Sequence, residues 1–420
     1  MSVTTATTDQ RLPVRLFNSV LGVRDRLGFS GNRFTASIDE MHETVAREAG
    51  CEDFGDDLYK EGLGVLCEAY DREARLTPWG RIMVDRQLRG ILRNRLSAQC
   101  TWNEHREILD RRVERPIFVL GLPRTGTTAL HHLLGCDPSN QVLEYWLAES
   151  PSPRPPRESW KSHAHYRKST RNLKTMYWLD PDLKAIHLMT ADGPEECRHL
   201  LQQSFTDDTF DCNSTIPSYS GWYASVDMRP SYERHSDLLK LIGHGDSRRW
   251  LLKYPVHMGS LETLLEIYPD ACFVQTHRDP ARVLPSICSL VAAWRAIYED
   301  SIDRPVIARW QMELWASRLE HALVVREQCD HQAPGRFYDL SFRDIVTDPV
   351  AAIRGMYRHF ELELSAEAEQ RITDFAGRNP RGKHGEHRYR AADFDLTADT
   401  MHDRFATYLD HFAIEREALP

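Results

Sequence analysis

The sequence predicts an α/β fold: a P-loop-type parallel sheet flanked by helices, with an N-terminal helical region in front of it. Three observations carry this. The apolar run Ile117-Phe-Val-Leu120 ends in a glycine loop and continues into the helical pattern Ala129 to Leu134, the order strand, phosphate loop, helix. Two further apolar runs, Trp250 to Leu252 and Cys272 to Val274, are each followed by polar residues and then by helical spacing, the alternation of a parallel sheet with ligand groups at its carboxyl edge. Ahead of these, apolar positions recur only at helical intervals.

Taken in order, Ser37 to Asp110 reads as helix, with Leu63, Val65, Leu66 and Ala69 on its apolar positions and one break at Pro78 and Gly80. Arg111 to Arg115 then leads into the α/β core, which divides the chain into a helical region, 1–114, and an α/β domain, 115–420. Four prolines between Ser150 and Arg157 exclude helix and central strand and predict a rigid extended connection. Beyond it, an insertion over about residues 150–245 is expected to hold helices and aromatic-rich loops such as Ser218 to Tyr223, the place for ligand recognition. A fourth strand is expected at Arg336 to Leu340.

Composition narrows the function. At 420 residues, 41% hydrophobic and 27% charged, the chain is an ordinary globular protein, and no stretch approaches the roughly 18 apolar residues of a transmembrane segment. Met1 to Asp9 has neither a basic cluster nor an apolar run, which predicts a cytoplasmic protein. The nine scattered cysteines form no C-x-x-C pair and read as reduced, with no disulfide frame and no zinc site. A formal net charge of −9 argues against nucleic acid as a partner. Against that average, the stretches Arg154 to Lys174 and Arg378 to Arg390 are basic; for the first, a solvated face and a functional one stand level.

Residues Gly121-Leu-Pro-Arg-Thr-Gly-Thr-Thr128 fit the spacing G-x-x-x-x-G-x-T, in which backbone N–H groups and a helix N-terminus enclose phosphate oxygens. Thr127 replaces the lysine that an ATP-binding loop places before its final Ser or Thr, which disfavours a Walker-type ATPase. Positive charge comes instead from Arg124, whose planar fork holds two oxygens at once.

With its preceding strand, Arg124 and the double Thr127-Thr128, the loop resembles the 5′-phosphosulfate loop of the sulfotransferase family that uses PAPS (3′-phosphoadenosine 5′-phosphosulfate), in its bacterial-type branch. The resemblance recurs in Trp250 to His257 and in Tyr268 to Pro280, similar to the family's second nucleotide-binding block. It implies PAPS as donor, 3′,5′-ADP (PAP) as product and no metal requirement. The donor's 5′ side would be held by Arg124, Thr125, Gly126, Thr127 and Thr128, and its 3′-phosphate by Arg278 and Ser286. Asp279 and Pro280 start a helix in this reading, so that Ser286 lies a turn or two along it. Asn379 to Tyr389 is similar to the loop that closes over the nucleotide, with Arg381, Gly382 and Lys383 as the contacts. Ala129 stands where many members have an adenine-stacking aromatic, and Phe342 where the family usually has Tyr, which keeps stacking and loses a hydroxyl.

For the chemistry, Arg124, Thr127 and Thr128 are expected to stabilise charge on the leaving nucleotide, and Lys253, at a strand end, to support the transition state. His257 is the preferred base, because a near-neutral imidazole accepts an alcohol proton at neutral pH. Glu144, twenty residues past Arg124 where the resemblance implies a catalytic glutamate in some branches of the family, is its competitor, and Glu195 and Glu196 read as the first turn of a helix. The acceptor is a hydroxyl or amine of a small-molecule, lipid or glycan partner. Two other classes stand against this reading: a P-loop nucleotide kinase or NTPase, and a catalytically silent nucleotide-binding protein.

Overall fold

The computed structural model describes residues 4–5, 18–19, 33–179, 188–379 and 389–419. Five parallel strands form the central sheet: β1 Ile117–Gly121, β2 Asn140–Val142, β3 Arg249–Lys253, β4 Cys272–His277 and β5 Phe337–Ser341, in the spatial order β2-β3-β1-β4-β5. The pairings Val119↔Lys253, Gly121↔Thr276 and His277↔Ser341 bring the strand ends to one carboxyl edge. Strand β1 is buried throughout because both faces are covered: Phe118 and Leu120 join the larger core, Ile117 and Val119 a second one built with Leu130, Leu134, Ile353 and Met356. All four strands expected from apolar runs are present. The fifth, β2, is three residues long and contributes Asn140 and Gln141, too short and too polar for a hydrophobic signal.

The N-terminal region forms α1 Ile38–Ala49, α2 Tyr59–Arg72 and α3 Pro78–Glu104. Pro78 starts α3 rather than interrupting a helix: it stands in the first turn, and Thr77 caps the end by accepting from Gly80 N–H at 3.0 Å. Gly80 lies directly against the Tyr298 carbonyl, where a side chain would collide. The apolar faces of these helices pack on one another and on Phe205, Phe210, Ile216 and Tyr219 of the insertion.

Two expectations are corrected here. Cys51 and Cys100 form a disulfide, so the cysteines are not all reduced. Gly50 ends α1 in the left-handed region (φ 68°) and turns Cys51 toward α3, leaving the two Cα atoms 6.7 Å apart; a sequence separation of 49 hides that proximity in the sequence. Ser218 to Tyr223 is helix (Pro217–Tyr223), not loop: Pro217 opens it, and Tyr219 meets Trp222 and Tyr223 at helical spacing. Among the described residues no helix is long and apolar enough to cross a membrane.

Candidate active site at the carboxyl edge

The loop after β1 enters α4 (Thr127–Leu134). Gly121 (φ 127°) passes so close to β4 that a Cβ there would lie 2.5 Å from Thr276 Oγ1 and 2.6 Å from its carbonyl oxygen. Arg124 and Gly126 also adopt positive φ, 73° and 95°, the backbone curvature that turns successive N–H groups inward around an anion. Thr125 is fully buried. Its hydroxyl donates to the Leu122 carbonyl at 2.6 Å and meets Thr276 Oγ1 at 2.6 Å, fastening the loop to the sheet from beneath. Arg124 and Thr128 are exposed at the mouth and Thr127 is buried under it.

Lys253, at the end of β3, is buried, and its ammonium donates to Thr128 Oγ1 at 3.3 Å and to the Glu196 carboxylate. Glu196 was the residue sequence reasoning misassigned. Glu195 and Glu196 lie ahead of the short helix Arg198–Leu201, not in its first turn, on a strand-like return where Pro194 bridges to Glu144. Glu195 faces inward and pairs with Arg198 at 3.2 Å, so the two acids have different fates. A Gly-Pro turn followed by adjacent acids was the available signal.

On the other side of the loop, Asp279 caps α6 (Pro280–Tyr298), α5 being Arg229–Ile242. Its carboxylate accepts from Ala281 N–H at 2.9 Å, and Ser286 lies buried in the second turn. The Arg278 guanidinium stacks on Phe342 at 4.0 Å, and Phe342 in turn borders Gly126. The structure thus brings Arg124, Gly126, Thr128, Lys253, Arg278 and Phe342 around one edge. Arg381, Gly382 and Lys383 fall outside the described residues.

Neither expected base stands at this edge as a free group. His257 is fully buried; its Nδ1 meets Tyr232 Oη at 2.7 Å, and loss of solvation, with His235 beside it, holds its pKa well below the usual imidazole value. Glu144 is buried under Arg154, which donates to it at 3.1 Å and also to Asp246 at 3.0 Å; burial raises the Glu144 pKa and Arg154 opposes the rise. Arg154, the first residue of the basic stretch, is therefore a buried structural cation and not part of a solvated face.

Between α3, α6 and the helices Tyr145–Glu149 and Ala164–Leu179 lies a cavity of about 1640 Å³. Pro123 and Glu196 line its end beside the phosphate loop, Met83, Met176, Met189, Trp294 and Ile297 its apolar wall, and Arg86, Arg89, Lys168 and Arg171 also border it.

The family described as "Sulfotransferase family" matches residues 116–366. The omega-hydroxy-beta-dihydromenaquinone-9 sulfotransferase of Mycobacterium bovis is 27% identical over 274 residues, 59% of this chain, as is its counterpart in Mycobacterium tuberculosis; the chain spans 63% of the length of these curated relatives. The solved sulfotransferase STF1 from Mycobacterium tuberculosis H37Rv superposes with a TM-score of 0.81 at 40% identity, over 90% of this chain and 100% of that one. STF9 from Mycobacterium avium gives 0.82 at 28% identity, over 91% and 98%. Matched over more than half its length by the family and nearly end to end by one of its solved members, the chain belongs to the sulfotransferase family.

Proposed function

We propose that this chain transfers a sulfuryl group from PAPS to a hydroxyl of a long, largely apolar acceptor and releases 3′,5′-ADP. The observation that carries the reading is the Thr128–Lys253–Glu196 chain of contacts, which joins the phosphate loop to a carboxylate on the wall of the large cavity. The cradle fits the donor: Gly121 leaves no room for a side chain, and the positive φ values of Arg124 and Gly126 shape the loop for an anion.

Arg124, Thr128 and the loop N–H groups hold the 5′-phosphosulfate, Arg278 and Ser286 the 3′-phosphate, and Phe342 offers a face for the adenine. The acceptor oxygen forms a bond to sulfur as the bond from sulfur to the nucleotide phosphate oxygen breaks. Lys253 neutralises charge on that departing oxygen. Because Lys253 then leaves Glu196, the freed carboxylate takes the acceptor proton. This assigns the base to Glu196, ahead of His257 and Glu144. The chemistry asks nothing of a metal at the reacting atoms.

A lipid-like acceptor is supported by the cavity, larger than the roughly 300–1,000 Å³ of common ligand pockets and walled by methionine and tryptophan. The Mycobacterium bovis relative is named for a hydroxylated menaquinone, an acceptor of that kind. The helical region 1–114 supplies one wall of the cavity through α3. Seven free thiols support a cytoplasmic location, with Cys51–Cys100 as the exception.

Calorimetric titration with 3′,5′-ADP and with ADP, each with and without magnesium, tests the donor site. Metal-independent binding that requires the 3′-phosphate and is lost in Arg278→Ala is expected. Magnesium-dependent binding indifferent to that phosphate would replace this reading with the NTPase one, and donor binding with no transfer to any hydroxylated lipid would leave a silent binder.

A further inference from the structure

Cys197, His235 and His257 come from three separated segments and meet in the interior, each fully excluded from solvent, with ligand atoms within 4.8 Å of one another. Cys197 follows Glu196 directly, and its N–H donates to the Lys253 carbonyl at 3.3 Å. His257 lies on the turn that leaves β3, and His235 on α5, where His235, Leu238, Leu239 and Ile242 form its buried stripe.

The two imidazoles are oriented alike. His235 Nδ1 meets Tyr268 Oη and His257 Nδ1 meets Tyr232 Oη, each at 2.7 Å. Those tyrosines are buried, and the contacts fix each ring so that Nε2 is its remaining donor atom. Both Nε2 atoms are buried and have no hydrogen-bond partner among the described residues. A buried polar atom left without a partner costs about 1–3 kcal/mol, and two of them turned out in the same way beside a buried thiol are not explained by packing. They are explained by a ligand: a histidine that binds a metal commonly gives its other ring nitrogen to a fixed oxygen.

We propose that Cys197, His235 and His257 bind a thiophilic d¹⁰ cation, Zn²⁺ or Cu⁺. One thiolate and two neutral imidazoles are ligands that both ions take, with metal–nitrogen distances of about 2.0–2.1 Å and metal–sulfur distances of about 2.3 Å for zinc. On binding, the Cys197 thiol gives up its proton and the side chains close inward on the ion. The cation stands apart from the reacting atoms. It joins the segment bearing Glu196 to the turn after Lys253 and to α5, and so positions the Lys253–Glu196 pair. The site does not depend on which donor or acceptor the chain uses.

The test is metal content. Full-length protein, freed of metal and kept reduced, is loaded in one arm with Zn²⁺ and in another with Cu⁺, gel-filtered and analysed by plasma mass spectrometry. About one equivalent per chain is expected to remain in one of the arms, with metal–sulfur scattering in X-ray absorption. Cys197→Ser and His235→Gln should lower the loading roughly tenfold or more, while Cys136→Ser, at a partly exposed free cysteine outside the cluster, retains it. Because the first two variants alter buried residues, wild-type protein is also titrated with Co²⁺, and a thiolate-to-cobalt absorption band is expected. Absence of retained metal in both arms together with absence of that band overturns the proposal, as does full loading of Cys197→Ser.

Discussion

The Glu417 carboxylate lies side-on against the Arg278 guanidinium, with Oε1 accepting from Nε and Oε2 from Nη2, both at 2.9 Å. The same residue donates its backbone N–H to Asp279 at 2.6 Å, and its carboxylate approaches Arg282 at 3.7 Å. A carboxylate in this geometry uses the fork that a phosphate would use.

If Arg278 holds the donor's 3′-phosphate, Glu417 is its competitor. Glu417→Ala is expected to tighten binding of 3′,5′-ADP about tenfold, the equivalent of about 1.4 kcal/mol, and Arg278→Ala to weaken it by about 2 kcal/mol or more. Calorimetry on the two variants decides; unchanged affinity in Glu417→Ala would remove the tail from the donor site.

Glu196→Gln is expected to lower kcat about 10²- to 10⁴-fold while 3′,5′-ADP binds as before, because the carboxylate acts on the acceptor side of Lys253. His257→Gln, by contrast, is expected to lower the melting temperature more than kcat. Steady-state rates and thermal melts on the two variants separate the roles, and the reverse pattern would return the base to His257.

In metal-free protein, acid should weaken the fold through His131, His235 and His257, all fully buried. Desolvation lowers each pKa, that of His235 to about 3. The folded state therefore excludes protons that the unfolded chain binds below its own pKa of about 6.5. The stabilisation is complete above that pH and falls as pH drops, by about 1.4 kcal/mol per unit for each histidine. Denaturant midpoints between pH 7.5 and 5.5 should show this slope, and His235→Gln should make it shallower.

The Cys51–Cys100 bridge closes a loop with a sequence separation of 49. Loop-entropy reasoning gives it a contribution of about 4 kcal/mol. Cys100→Ser is expected to melt earlier than the parent under oxidising conditions, and the two to melt alike in strong reductant. Equal melting in both conditions would mean that the bridge does not form.

The sheet was legible because β1, β3 and β4 each hold an apolar run of three or four residues next to polar segments, and the phosphate loop because glycine spacing reports backbone curvature directly. Strand β2 was hidden by its Asn140 and Gln141, and the Ser218 to Tyr223 helix by a composition that reads as loop. At the site, residues inside contiguous motifs, such as Arg124, Lys253 and Arg278, lie around one sheet edge because each stands at or just past the end of a strand. Glu196 escaped because its partner Lys253 is 57 residues away, and burial is what removed His257 from the edge. Chemistry alone made an imidazole attractive; only packing shows that it lies in the interior, away from the acceptor.

Helix α6 opens at Asp279 beside Arg278, carries Ser286 in its second turn, and ends at Tyr298, whose carbonyl accepts from Thr77 N–H at 2.8 Å. Its later residues, among them Ser289, Ala293, Trp294 and Ile297, border the large cavity. One helix therefore borders both substrates in the proposed reaction. Replacements that alter acceptor preference and leave the donor site intact are therefore expected on the opposite walls, α3 and the helix Ala164–Leu179.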